Sequence, residues 1–290
     1  MRQSILDSIV RFARTSDKVT ALILIGSQAR TEMKADEYSD TDVIMVVRDA
    51  GYFLRADSWL SEIGRVHLSF TEPTLDGQRE RRVLFDGAQD VDFVIMDESA
   101  AAHALENGEA AFILGRGYRV LVDKRGFTMP PIASAPPTAF APASEAVFLN
   151  AVHDFWYHTV WAAKKLLRRE LWTAKFCVDG YLKQKLLWMI EQHEHTVRRS
   201  GRDTWYGGRF IERWADKDVL RDLRETFAHY DRADIARALT ETMKLYRRLA
   251  QEAATACGFP YPAHADAYAT AWVIAQLAPL LPQAPQKGVV

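Results

Sequence analysis

Two carboxylates one residue apart, Asp40 and Asp42, stand at the mouth of an apolar run in "YSDTDVIMVV". Ionised carboxylates almost never enter a protein interior without a partner. Side chains two apart on a strand point to the same side, so the pair projects together and its repulsion calls for a cation. Two hard oxygen donors suit Mg²⁺, which is usually held by one or two carboxylates plus substrate phosphates. Upstream, "VTALILIG" ends at Gly26, and Ser27 opens a helix-like "QART". A glycine closing a strand ahead of a helix start turns backbone N–H groups toward an anion, phosphate above all. A third carboxylate, Asp92, opens "VDFVIM" as Asp42 opens its own run. Asp90 shares its face but precedes the apolar run and reads as a turn residue. Taken singly, an Asp-x-Asp is what a solvated turn looks like, and Gly-Ser is an ordinary turn. Their joint occurrence points to metal-assisted phosphate chemistry.

These residues need strands to hold them. Residues 3 to 15 carry the spacing of an amphipathic helix, 19 to 26 and 41 to 47 read as buried strands, and Asp57 reads as the N-cap of a short helix through Ile63. "RVHLSFTE", "RRVLFD", "VDFVIM" and "RVLVD" follow as further strands, broken by Gly and Asp. Residues 1–128 therefore form an α/β (α+β) domain with a mixed β-sheet. A proline-rich segment, 129–144, reads as an extended linker. From 145 to 280 apolar residues recur at steps of three and four, from Phe148 and Val152 onward, as in an all-α helical bundle. The tail, 281–290, reads as disordered.

Composition bounds the rest. The 290 residues are 48% hydrophobic and 26% charged, with a formal net charge of −1, as in an ordinary globular protein. Residues 1 to 130 hold 16 Lys+Arg against 21 Asp+Glu, and the remainder 21 against 17. Opposite signs in two segments suggest two different electrostatic tasks, and the balance is far from that of a nucleic-acid binder. No apolar run approaches the ~20 residues of a membrane span. The two cysteines, Cys177 and Cys257, make neither a disulfide framework nor a metal cluster, which fits free thiols in a cytoplasmic protein. Neither nucleic acid nor membrane is expected as a partner. "HEH" at 193 to 195 has i, i+2 spacing and so cannot gather its histidines around zinc on one helix face.

Gly-Ser, a spacer, Asp-x-Asp on a strand and a third Asp on a neighbouring strand resemble the polymerase-β type of nucleotidyltransferase. Along the chain, "DEYSDTDV", "DSWLSEIG", "VDFVIM", "VLVDK", "FWYHTVWAAKKLLRRE", "LLWMI", "FIERW" and "GFPYP" are similar, in order, to blocks of the aminoglycoside 6-adenylyltransferases, or streptomycin adenylyltransferases. The resemblance implies transfer of AMP from Mg-ATP to a hydroxyl of an aminoglycoside, the 6-hydroxyl of streptomycin as the best guess, with release of pyrophosphate. It implies two Mg²⁺ ions on Asp40, Asp42 and Asp92, with Asp92 also accepting the hydroxyl proton. Gly26, Ser27 and Arg30 would hold phosphate. Lys183, basic in the family, is the first choice for a triphosphate contact from the helical domain, with Lys185 and Arg209 as rivals. Asp154, Trp156 and Asp179 would supply acidic and aromatic walls for a cationic drug, and Glu191 is a further candidate. Gln28 stands where the family leads us to expect a basic residue, and Thr41 is small and polar between the aspartates. Competing readings are a nucleotidyltransferase acting on a lincosamide, tRNA or protein, and a catalytically silent nucleotide-binding module.

Overall fold

The computed structural model describes residues 5–30, 35–74, 78–106, 111–129, 140–204 and 207–281. The chain divides into two compact units, Met1–Pro137 and Thr138–Val290. Most of the segment read as a linker, and all but Leu281 of the segment read as a tail, lie outside the described residues.

The first unit runs α1 (Ile5–Thr15), β1 (Val19–Leu24), β2 (Thr41–Val47), α2 (Ala50–Arg55), β3 (Val66–Pro73), β4 (Arg79–Phe85), β5 (Gln89–Asp97), α3 (Glu98–Glu106), α4 (Ala111–Leu114) and β6 (Arg119–Asp123). The six strands form one sheet in the order β3-β4-β5-β2-β1-β6. β2 and β5 are parallel; the other pairs are antiparallel. Strand parity decides what each face carries. Val43, Met45 and Val47 of β2 and Val91, Phe93 and Ile95 of β5 turn toward α1 and α2 and are buried with Ile9, Phe12, Phe53 and Trp59. Trp59 contacts the rings of Phe12, Phe53 and Phe93 at centroid distances of 5.7, 5.2 and 5.1 Å, which ties both helices to the sheet. On the opposite face, Val46 and Met96 pack with Ala21 and with Ala101 and Ala104 of α3.

Two local expectations change. The segment after Asp57 is a 3-10 turn, Ser58–Glu62, and the Asp57 side chain does not cap it. Asp57 instead pairs with the guanidinium of Arg81, which also donates to the carbonyls of Phe53 and Leu54 at 3.3 and 2.9 Å. Among the described residues, Gly26 opens a three-residue 3-10 turn, Gly26–Gln28, where a helix start was expected.

The second unit is helical: α5 (Glu145–Leu167), α6 (Leu171–Phe176), α7 (Leu182–Thr196), α8 (Ile211–Trp214), α9 (Lys217–Arg224), α10 (Arg232–Cys257) and α11 (Ala263–Leu277). α5, α9 and α10 begin at Ser144, Asp216 and Asp231, whose side chains accept N-terminal amide hydrogens. α10 ends at Gly258, in the left-handed conformation at φ +72°. Phe155 stacks on Tyr246 at 3.5 Å between centroids, at the centre of a core that joins α5, α7, α10 and α11. Between α8 and α9 the helix is broken at Ala215 and Asp216. A single π turn, Cys177–Tyr181, separates α6 from α7.

Candidate active site

The parallel pairing of β2 with β5 sets Asp42 directly opposite Asp92. Asp40 precedes β2 by one residue. Each of the three carboxylates offers an oxygen such that these atoms lie within 4.8 Å of one another. The same parity that sends Val43 and Val91 into the core sends Asp42 and Asp92 to the other face. Asp92 is 9% exposed. Burial pushes its carboxyl up to about 6; Arg82 opposes that rise, while Glu80, Asp40 and Asp90 add to it. A buried carboxylate beside two others gains most from a dication, since one ion relieves both desolvation and repulsion.

Gly26 lies against this cluster. Its φ is +67° and an added Cβ would sit 1.9 Å from Asp42 Oδ2, so two separate constraints require glycine. The next residue, Ser27, is 5% exposed and its hydroxyl has no hydrogen-bond partner. A buried hydroxyl is normally paired; an orphaned one on the residue that follows the glycine packed against Asp42 has capacity for a phosphate oxygen. Gln28 and Thr41, the two departures from the family pattern, belong together. The Gln28 amide donates to Thr41 Oγ1 at 2.7 Å and to the Asp40 carbonyl at 3.1 Å. The pair fastens the glycine turn to the aspartate strand without adding charge.

Asp90 is part of β5, paired with Leu84, and not the turn residue expected; its side chain is exposed. Arg82 and Glu80 were not singled out in the sequence. Arg82 sits opposite Asp92 on β4, with Nη2 3.3 Å from Asp92 Oδ2. Its Nε lies 2.9 Å from Glu80 and 2.7 Å from Glu72. Nothing in "RERRVLF" distinguishes Arg82 from Arg81 until the register is known; parity puts one at the carboxylates and the other under α2.

The helical unit places its candidates in two groups. Asp154 pairs with Lys185 at 2.6 Å, accepts from the Tyr181 hydroxyl at 2.8 Å and lies 2.6 Å from His158. Burial would raise this carboxyl, but the hydrogen bonds from Lys185 and Tyr181 prevail and hold it below the usual range. Asp154 and Trp156 border a surface cavity of about 540 Å³, also lined by His153, Tyr157, Trp161 and Tyr268. Trp156 itself is 2% exposed. Asp179 sits in the π turn, paired with Lys175 and 3.9 Å from Lys183. Lys183 donates to the Val178 carbonyl and to Thr242 Oγ1, both at 2.9 Å; burial pushes its ammonium down to about 8 against the opposing charge of Asp179. Arg209 lies 5.8 Å from the Phe210 ring.

Comparison with known proteins shows the family. The family model described as streptomycin adenylyltransferase matches residues 1–275. An aminoglycoside 6-adenylyltransferase of Campylobacter jejuni is 22% identical over 271 residues, 90% of each chain. One of Staphylococcus aureus is 24% identical over 196 residues, covering 65% of this chain and 67% of that one. The crystal structure of an aminoglycoside 6-adenyltransferase from Bacillus subtilis aligns over 95% of this chain and 99% of its own, at 18% identity and a TM-score of 0.46. With a match that spans both units, the chain belongs to the streptomycin adenylyltransferase family and is a nucleotidyltransferase.

Proposed function

We propose that the protein transfers AMP from Mg-ATP to a hydroxyl of an aminoglycoside, the 6-hydroxyl of streptomycin first among them, and so confers resistance. The observation that carries this reading is the carboxylate triad, with oxygens of Asp40, Asp42 and Asp92 within 4.8 Å of one another. The donor set is hard oxygen only, which suits magnesium better than zinc. Asp40 and Asp42 would be the principal ligands of two ions, and Asp92 a shared one. Bound magnesium would supply charge neutralisation on the phosphate oxygens.

The remaining work falls to the chain itself. Gly26, Ser27 and Arg30 would hold the triphosphate tail, with the orphaned Ser27 hydroxyl donating to a phosphate oxygen. Asp92 accepts the proton of the acceptor hydroxyl as that oxygen bonds to the α-phosphorus. The bond from the α-phosphorus to the bridging oxygen breaks, and pyrophosphate leaves. Lys183 is carried forward as the helical unit's candidate for a phosphate contact; to serve it must exchange Val178 and Thr242 for the ligand. For the acceptor we favour the cavity bordered by Asp154 and Trp156, because Tyr157 and Tyr268 offer aromatic faces to a cationic sugar and are 67% and 66% exposed. Asp179, occupied by two lysines, is the weaker candidate.

The test is incubation with Mg-ATP and a panel of aminoglycosides, followed by mass spectrometry. Streptomycin gaining one AMP, with pyrophosphate released in equal amount, is the expected result. AMP on a lincosamide, tRNA or a protein instead would move the activity to another acceptor. No transfer to any acceptor would leave a nucleotide-binding module.

A further inference from the structure

Arg82 has no place in the mechanism above, yet it touches the triad. Its guanidinium reaches carboxylates on three strands: Glu72 on β3, Glu80 on β4 and Asp92 on β5. Register explains the grouping. Glu72 faces Glu80 and Phe70 faces Arg82, while Arg82 faces Asp92 and Asp92 faces Asp42. One row across the sheet thus reads Asp42, Asp92, Arg82, Phe70. Glu80 is 9% exposed and Asp92 likewise, so these ions are not simply solvated.

A guanidinium cannot shed its charge. When a dication engages Asp92, a positive charge already stands 3.3 Å from that carboxylate, and the two cations compete for it. Glu72 and Glu80 hold Arg82 at the site whichever of them wins. We propose that Arg82 is a built-in substitute for the metal: it balances Asp92 in the metal-free protein and opposes the dication when it arrives, so that tight metal binding waits for the phosphates of the nucleotide. This rests on the reading of the triad as a metal site. Arg82 is a positioning residue here, acting on substrate only through Asp92.

The experiment is direct binding of Mn²⁺ alone, by electron paramagnetic resonance or calorimetry, together with thermal unfolding in chelator. Arg82→Gln should bind Mn²⁺ more tightly by at least about fivefold, within the usual range of coupling between two ligands, while melting at a lower temperature without metal. A side chain that only braces the sheet would not raise metal affinity when removed. Glu72→Gln, at a half-exposed position where folding is safe, should weaken Mn²⁺ binding, because Arg82 then leans harder on Asp92. In an Asp92→Asn background the gain from Arg82→Gln should vanish. The proposal is overturned if Arg82→Gln leaves Mn²⁺ affinity unchanged or lower, or if the gain persists without Asp92. Absence of Mn²⁺ binding by both the wild-type protein and Arg82→Gln, even with ATP present, would overturn the metal-site reading itself, and the proposal with it.

Discussion

The two units treat their carboxylates in opposite ways. On the sheet of the first, Asp92, Glu80 and Glu72 share one guanidinium, and Asp92 also stands within 4.8 Å of Asp40 and Asp42. Its carboxyl is displaced upward, first by burial. In the helical unit Asp154 has Lys185, His158 and Tyr181 around it. Asp266 has Arg247, Tyr261 and Thr270, and although burial acts upward on it, those hydrogen bonds hold it below the usual range. Pairing of the second kind contributes to stability without a bound metal ion. Concentrated like charge of the first kind is costly in the folded chain, and that cost is recovered when a cation binds. Carboxylates gathered in excess around one guanidinium, more than carboxylates as such, mark the site.

The comparison can be broken most sharply at its centre. Asp42→Asn or Asp40→Asn should abolish transfer, by more than about 10³-fold, since a metal ligand and its electrostatic stabilisation are lost together. Melting temperature without metal should hold or rise in the same proteins, because like-charge repulsion is relieved. Transfer within several-fold of wild type in either variant would remove the metal assignment. The matching change in the helical unit, Asp154→Asn, should do the reverse: it leaves Lys185 unpaired, costs about 1–3 kcal/mol of stability and leaves Mn²⁺ binding intact.

Next in size is the proton. Asp92→Asn keeps the shape and removes the acceptor, so kcat should fall about 10²–10⁴-fold with less effect on ATP affinity than at Asp40 or Asp42. Asp90→Asn is the control. Asp90 lies on the same strand face but is exposed, and single-turnover transfer in that variant should stay near wild type. Collapse at position 90 with survival at 92 would reverse the assignment of the base.

A smaller effect should follow from Gly26→Ala. The methyl would meet Asp42 Oδ2 at 1.9 Å, at a backbone φ of +67°, so either the turn or the carboxylate must shift. Displacement by about 1 Å costs on the order of 10²-fold in rate. The variant should recover part of that loss at raised metal concentration. A crystal structure with Asp42 unmoved and full activity would show that the close approach is not needed.

Much of the site was legible because its signal is short-range. Alternation in "TDVIMVV" and "VDFVIM" assigns Val43 and Val91 to the core and Asp42 and Asp92 to the other face without knowledge of the partner strands. Arg82 was hidden because its meaning is long-range: only the β4–β5 register separates it from Arg81, three bonds of backbone away. The glycine turn was misjudged as a helix start because "QART" has good helix formers, while the hydrogen bonds from Gln28 to Thr41 and Asp40 decide its path. In the helical unit, periodicity marks the bundle but not the π turn at Cys177–Tyr181, which carries Asp179. A break at Asp216 was similarly invisible as a stop, although Asp216 is a competent N-cap in the sequence.

Glu191 on α7 is the helical carboxylate that departs from the pairing rule, and it yields the mildest test. Among the described residues no ion pair or hydrogen bond to its side chain is present, and burial alone pushes its carboxyl up to about 7. The sign follows from linkage. A folded-state value above the ordinary 4.5 means that the folded protein holds the proton more tightly than the unfolded chain does. The stability Glu191 contributes is therefore complete below about pH 4.5 and is lost as pH rises through about 7. Glu191→Gln removes that loss. Its melting temperature should exceed that of wild type at pH 8, and the difference should shrink toward zero at pH 5. An equal difference at both pH values would mean that the carboxylate finds a cation after all, and the contrast between the units would then hold without exception. A variant that is more stable at pH 8 but has a raised KM for the aminoglycoside would instead make Glu191 a carboxylate that the helical unit keeps for a ligand.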